Sequence, residues 1–168
     1  ARIIPEHGTW LEFSLDINDI MYVHIDRKRK LPVSTFLRAL GYGKSEEVLG
    51  IFHGDIESKV SEELVDGVVT KDVVNQKTGE VLVEAYTTLT EEHIINLRES
   101  KVSKITVMDI DPAHDGGIMT NTLAKDPCDN EEEALSRIYS LLRPGDPPNI
   151  KTARGLLERH FFSPRRYH

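Results

Sequence analysis

Cysteine is almost absent from this chain of 168 residues, in which Cys128 is the only one. A single thiol excludes an internal disulfide, cannot complete a thiolate metal site, and is typical of a reducing compartment. Long apolar runs are also lacking, because none approaches the roughly 20 residues that a membrane-spanning helix needs. We therefore expect a cytoplasmic protein that has no membrane partner.

Common catalytic motifs are missing as well. The chain has no His-Glu-x-x-His, no Gly-x-Ser-x-Gly, no glycine-rich phosphate loop and no dinucleotide fingerprint. His24 and Asp26 lie two residues apart on one predicted strand face, but two ligands are too few for a metal site. We therefore expect no catalytic residue, no metal and no cofactor in this chain.

One carboxylate cluster offers an alternative function. Asp109, Asp111, His114 and Asp115 fall within seven residues, and oxygen-rich clusters can hold Mg²⁺ or Ca²⁺. A proline and a Gly-Gly pair in the same stretch indicate a turn instead, where Asp commonly hydrogen-bonds the backbone. A small metal-dependent hydrolase built on these four residues is the less favoured reading, and calorimetry with Mg²⁺, Mn²⁺ and Zn²⁺ would test it.

The net charge of −7 is unevenly distributed. Residues 1–44 have a net charge of +2 and residues 143–168 of +4, whereas residues 45–142 have a net charge of −13. If the basic ends meet in the fold, they form a positive surface that could bind nucleic acid. The alternative is an acidic, solvated middle with unrelated ends.

The strongest positive signal lies in the first third of the chain. Two segments with alternating side chains, 10–15 and 21–25, predict a pair of β-strands. The first holds the only tryptophan, Trp10, and the second leads into a basic run, Arg27 to Lys30. Although an isolated basic run is more often only solvated, clustered cations attract phosphate and an indole can stack on an unpaired base. The pair is therefore predicted to bind nucleic acid.

The rest of the pattern predicts an α+β fold with one core of ordinary size. Apolar residues at 3–4 spacing and helix-start signals predict helices over 33–40, 46–52, 131–142 and 150–159. Between about 54 and 111 the pattern changes to strands. There a hairpin is predicted around residues 75–79, followed by a short helix after Thr90 and a strand over 104–108.

Several runs together resemble a known family. They are Ala1-Arg2-Ile3-Ile4-Pro5, Trp10-Leu11-Glu12-Phe13, the run from Ile25 to Pro32, Leu142-Arg143-Pro144-Gly145-Asp146-Pro147-Pro148 and Phe161-Phe162-Ser163. This set resembles the lobe (β2) domain of the β subunit of bacterial DNA-directed RNA polymerase. The resemblance implies a lobe formed by residues 1–54 and 109–168. Residues 55–108 would be an inserted small β-rich module, similar to the barrel-sandwich modules of large polymerase subunits, at a position where the family varies between lineages.

The resemblance also implies a function in DNA-templated transcription. The lobe forms a wall of the downstream DNA channel of this nucleotidyltransferase and supplies no catalytic group, so the isolated fragment should be inactive. Trp10 matches a tryptophan that stacks on a non-template base beside the start site, and Asp26 and Arg27 match neighbouring contacts to that strand. Lys28, Arg29 and Lys30 would attract phosphate less specifically.

The implied partners are DNA, as non-template strand and downstream duplex, the other polymerase core subunits and a sigma factor, in the nucleoid-associated cytoplasm of a bacterium. A rival from another class is a protein–protein interaction module whose acidic middle recruits a basic partner. Binding that survives neutralisation of Arg27 to Lys30 but is lost with residues 55–108 would favour that rival.

Overall fold

The computed structural model describes residues 1–5, 8–110 and 117–162. They form an α+β fold, as predicted, with two compact units. The first unit comprises Ala1–Val48 and Gly116–His168, and the second comprises Leu49–Asp115. Both boundaries of the second unit lie outside the 55–108 segment proposed from the sequence as an insertion.

The first unit contains an antiparallel sheet with strand order β1-β2-β3-β4. Its strands are β1 (Arg2–Ile3), β2 (Leu11–Leu15), β3 (Met21–Ile25) and β4 (Lys30–Pro32). Leu11 pairs with Ile25 and Val23 with Leu31, so these four buried side chains share the inner face. The strand pair predicted over 10–15 and 21–25 is confirmed, whereas β1 and β4 are too short to show alternation.

Helices of the first unit cover the inner face of this sheet and each other. They are α1 (Val33–Ala39), α4 (Ile118–Lys125), α5 (Glu131–Leu142) and α6 (Ile150–Phe161), with α2 (Ser45–Phe52) crossing into the second unit. Phe36 of α1 meets Phe161 of α6 edge to face, with ring centroids 5.3 Å apart. Phe161 is buried, whereas the neighbouring Phe162 is 59% exposed.

Helix α4 was not predicted from the sequence. Gly117, at φ +78°, precedes it and provides no side-chain cap, so the usual start signal is missing. The buried Thr122 explains its position, because its hydroxyl accepts a hydrogen bond from the Met21 N–H at 3.0 Å. The polar Thr122 therefore fixes α4 to β3, and Met119 is the other buried side chain of this helix.

The second unit is built mainly from short strands and the helix α3, with a short 3-10 helix at Glu62–Leu64. Its elements are β5 (Gly54–Lys59), β6 (Val73–Val74), β7 (Val81–Val83), α3 (Glu91–Glu99) and β8 (Lys104–Asp109). In the described residues, β5 pairs with β8 and β6 with β7, and these two-stranded sheets do not close into a barrel. Val69, Leu89 and Leu97 form the centre of its core without exposed surface.

The N-terminus of α3 is closed by a reciprocal capping box, as the Thr90 signal predicted. The Thr90 Oγ1 accepts from the His93 N–H at 3.3 Å, and the Thr90 N–H donates to His93 Nδ1 at 3.1 Å. We expect Thr90→Ala to destabilise α3 by about 1 kcal/mol, while Thr90→Ser retains most of the cap. Hydrogen exchange of the α3 amides measures this effect, and equal exchange in both variants would show that the cap is unimportant.

Candidate nucleic-acid interface

The turn between β3 and β4 has an uncommon backbone. Asp26 and Arg27 have φ values of +51° and +58°, and the Lys28 N–H donates to the Ile25 carbonyl at 3.0 Å. Two successive residues in the left-handed region are typical of a type I′ turn, which Asn and Gly adopt more readily than Arg. Holding a non-glycine residue in this region lowers the stability of the fold by an amount of order 1–3 kcal/mol. Backbone strain of this kind is often found at functional sites.

Trp10 lies directly beside this turn. The Asp26 N–H donates to the Trp10 carbonyl at 2.9 Å, which extends the pairing of β2 and β3 by one residue. The Arg27 guanidinium carbon lies 5.3 Å from the centroid of the indole, within the range of a cation–π contact. Trp10 remains 38% exposed, so part of the ring is available to another flat group.

The backbone before Trp10 is held by a contact with the end of the chain. Thr9 is buried, and its Oγ1 lies 2.7 Å from Nδ1 of His160 on α6. Because Thr9 immediately precedes Trp10, this hydrogen bond restricts where the indole can lie. The two basic ends of the sequence thus meet within the first unit.

The remaining basic residues point away from the core. Lys28, Arg29 and Lys30 are all exposed, and Nζ of Lys30 lies 4.1 Å from the ring centroid of Tyr22. Tyr22 was not proposed from the sequence, because only the pairing of β3 with β4 brings the two residues together. The structure thus places Trp10, just before β2, beside the β3–β4 hairpin. That hairpin holds Asp26, Arg27, Lys28, Arg29 and Lys30, and these six residues are called the Trp10 hairpin below.

At the opposite end of β2 and β3, the connection is held by Asp16. Its Oδ1 accepts from the Ile20 N–H at 3.0 Å and from the Asn18 N–H at 2.8 Å. The backbone hydrogen bond from Ile20 is the largest cause that lowers the pKa of Asp16, with Asn18 and the charge of Lys30 acting in the same direction. The resulting stabilisation is present above the usual Asp pKa and is lost as the pH falls through the lowered value.

A buried ion pair fixes the helices behind the sheet. Nε of Arg38 donates to Oδ2 of Asp126 at 3.0 Å, and these side chains are 3% and 0% exposed. Asp126 also accepts from the Thr35 hydroxyl at 2.7 Å and from the Cys128 N–H at 2.9 Å. The remaining guanidinium N–H groups of Arg38 donate to Ser45 Oγ at 2.8 Å and to the Gly43 carbonyl. No local sequence signal indicates this network, because its main partners lie 88 residues apart.

Cys128 lies beside this network and is buried. Burial is the main cause that raises the pKa of its thiol, and the carboxylate of Asp126 raises it further. A thiol in this environment stays protonated and is a poor nucleophile or metal ligand. Its place in the structure is therefore that of a small core residue.

The structure describes the residues of the two metal alternatives only in part. Asp111, His114 and Asp115 lie outside the described residues, and Asp109 ends β8. Within residues 1–5, 8–110 and 117–162 no three His, Cys, Asp or Glu side chains are close enough to hold a metal ion. His24 is on β3, whereas Asp26 belongs to the turn, so the expectation that they share a strand face is wrong.

Proteins similar to this chain identify its family. Residues 1–105 match the family model for RNA polymerase Rpb2, domain 2. Over 99% of its length the chain is 36% identical to the DNA-directed RNA polymerase subunit beta of Leptospira biflexa serovar Patoc. The corresponding identities are 38% for Flavobacterium johnsoniae and 39% for Phocaeicola vulgatus. This chain belongs to the RNA polymerase β-subunit family.

The family assignment confirms the resemblance inferred from the sequence motifs. The chain spans only 14 to 15% of the length of the β subunits it matches. The family model covers the whole Trp10 hairpin, so the candidate interface lies within the matched region. Among the described helices, none combines the length and the apolar character needed to span a membrane.

Proposed function

We propose that this chain is the lobe of a bacterial RNA polymerase β subunit and forms one wall of the downstream DNA channel. In this role it contacts the non-template strand through the Trp10 hairpin during transcription and contributes no catalytic group. Residues 55–108 are then a small module inserted into the lobe. The observation that carries this proposal is the convergence of Trp10, Asp26 and Arg27 on one strained turn that leads into three exposed cations.

Each residue has a role that follows from its chemistry. The exposed part of the Trp10 indole stacks on an unpaired base, which is worth roughly 1–3 kcal/mol per base in single-strand binding. The Asp26 carboxylate accepts hydrogen bonds only, so it favours a base edge that presents an amino group. Arg27 limits the orientation of the indole and can donate to phosphate or to a base acceptor.

The assembled polymerase supplies the catalytic groups that this chain lacks. The complete enzyme is a nucleotidyltransferase whose reacting groups lie in other parts of the polymerase, so the isolated chain is expected to be inactive. Its partners are the other core subunits, a sigma factor, the non-template strand and the downstream duplex, in the nucleoid-associated cytoplasm. Because the stacking face is partly open, DNA should bind firmly only when the assembled enzyme holds the strand beside the hairpin.

Substitution of Trp10 in the full-length β subunit tests the proposal. In assembled holoenzyme, Trp10→Ala is expected to shorten the open-complex lifetime roughly 5- to 150-fold, the factor that corresponds to a loss of about 1–3 kcal/mol of stacking energy. The lifetime should also lose its dependence on the non-template base just downstream of the start site. Promoters that differ only at that base provide the measurement.

Trp10→Phe is the matched control because it retains an aromatic face. It should keep most of the lifetime and of the base dependence, and both variants should add nucleotides at the normal rate. An unchanged lifetime in Trp10→Ala would contradict the proposal and leave Trp10 with a purely structural role.

A further inference from the structure

A groove in the first unit joins the basic run to helix α5. Lys28, Arg29 and Lys30 line one side, Arg137 of α5 lines the other, and the volume is about 580 Å³. This volume lies within the range of roughly 300–1,000 Å³ that is usual for small-ligand pockets. The groove therefore has room for one nucleotide unit beside four cationic side chains.

The described cations of this groove form no ion pair, and Glu133, one helical turn before Arg137 on α5, lies beyond ion-pair distance. Within the described part of the chain, Lys28, Arg29 and Arg137 form no ion pair, whereas the exposed Arg154 pairs with Glu131 at 3.0 Å. All four side chains of the groove are exposed. Like charges placed together repel each other, so their positive potential is available to a polyanion.

The rest of the lining is mostly apolar, and Ser140 adds one hydroxyl group. Leu141 and Pro144 contribute carbon surface beside the cations. A nucleotide unit offers the matching combination, since its phosphate is anionic while its sugar and base present flat or carbon-rich surfaces. Charge alone would accept any anion, and the apolar lining favours a nucleic-acid strand over a free inorganic ion.

The groove also continues the surface that holds Trp10. The three peptide steps from Arg27 to Lys30 span at most roughly 10 Å, so Trp10 and the groove are within reach of neighbouring nucleotides of one strand. We propose that the groove between the basic run and Arg137 binds a backbone phosphate of the DNA strand whose base stacks on Trp10. This inference rests on the proposed function and adds Arg137 as a phosphate-binding residue that the sequence did not indicate.

The first test is the salt dependence of the open complex formed by holoenzyme with the full-length β subunit. Arg137→Ala should lower the slope of log affinity against log salt by roughly 0.7–0.9, the value for one phosphate contact. Lys151→Ala, an exposed cation of α6 outside the groove, is the control and should leave the slope unchanged. Equal slopes for both variants and the unmodified enzyme would overturn the inference.

A second test locates the phosphate. Uncharged methylphosphonate linkages are placed one at a time along the non-template and template strands near the start site. At one position the linkage should lower the affinity of the unmodified enzyme for DNA. The same linkage should have little further effect on the affinity of the Arg137→Ala enzyme. If the losses of DNA affinity caused by the linkage and by Arg137→Ala add at every position, the inference is overturned, even if Arg137→Ala itself weakens binding.

The outcome also separates this inference from the proposed function. If substitution of Trp10 shortens the open-complex lifetime while Arg137→Ala changes neither measurement, the groove assignment is wrong and the stacking role stands. If neither substitution has an effect, both are wrong. Because Arg137 is exposed, the variant should unfold at the same temperature as the unmodified chain.

Discussion

Asp126→Ala is expected to lower the free energy of unfolding of the first unit by roughly 3–5 kcal/mol. The substitution leaves the Arg38 guanidinium buried with no carboxylate and removes the acceptor of two further hydrogen bonds. An uncompensated buried charge is among the most destabilising single changes in a protein. Urea unfolding of the 168-residue chain, followed by hydrogen exchange in α1 and α5, measures the loss.

Two matched changes separate the buried charge from the ion pair itself. The double variant Arg38→Met with Asp126→Leu removes both charges and should recover much of the stability, because apolar pairs often replace buried ion pairs without loss. Arg2→Ala removes the exposed pair between Arg2 and Glu12 in the same unit and should cost less than about 1 kcal/mol. Comparable losses in Asp126→Ala and Arg2→Ala would refute the role assigned to the buried pair.

Replacing Lys28, Arg29 and Lys30 together by glutamine is expected to weaken DNA binding strongly and to change its salt dependence more than any single substitution. Each cation contributes about 1 kcal/mol or less to the free energy of DNA binding. The affinity for DNA in the open complex should therefore fall by up to roughly 100-fold at low salt. The slope of log affinity against log salt should fall by roughly 2–3, since three phosphate contacts are lost. Lifetimes measured in the holoenzyme at several salt concentrations provide both values.

The second unit offers a control with the same change of charge. Lys59, Lys77 and Lys101 are all exposed and lie in the other compact unit. Their joint replacement by glutamine should leave the salt slope close to that of the unmodified enzyme. If both triple variants weaken DNA binding equally, the effect comes from overall charge and not from the hairpin.

The elements that could be predicted from the sequence carry local signals. Strands β2 and β3 show alternation, α3 follows the predicted start signal at Thr90, and α5 spans the predicted residues 131–142. Strand β5 was missed because nearly all its side chains are exposed on both faces, which leaves no apolar alternation. Helix α4 was missed because its position depends on a hydrogen bond to a residue 101 positions away.

The candidate interface was predictable in its residues but not in its geometry. The basic run and the single tryptophan are visible as residue types, and the family motifs indicate their role. The left-handed turn at Asp26 and Arg27 and the contact between Arg27 and Trp10 depend on how β2 and β3 pair. Arg137 carries no signal at all, since it becomes part of the groove only when α5 packs beside the basic run.

The most direct test of the account is a photocrosslink between DNA and the hairpin. 5-Iodouracil is placed in the non-template strand just downstream of the start site, the open complex is irradiated, and mass spectrometry identifies the attached residue. We expect attachment at Trp10 or within residues 26–30, and loss of the main crosslink in Trp10→Ala. Crosslinks that fall in residues 55–108, or outside this chain, would contradict the claim that the hairpin holds the non-template strand.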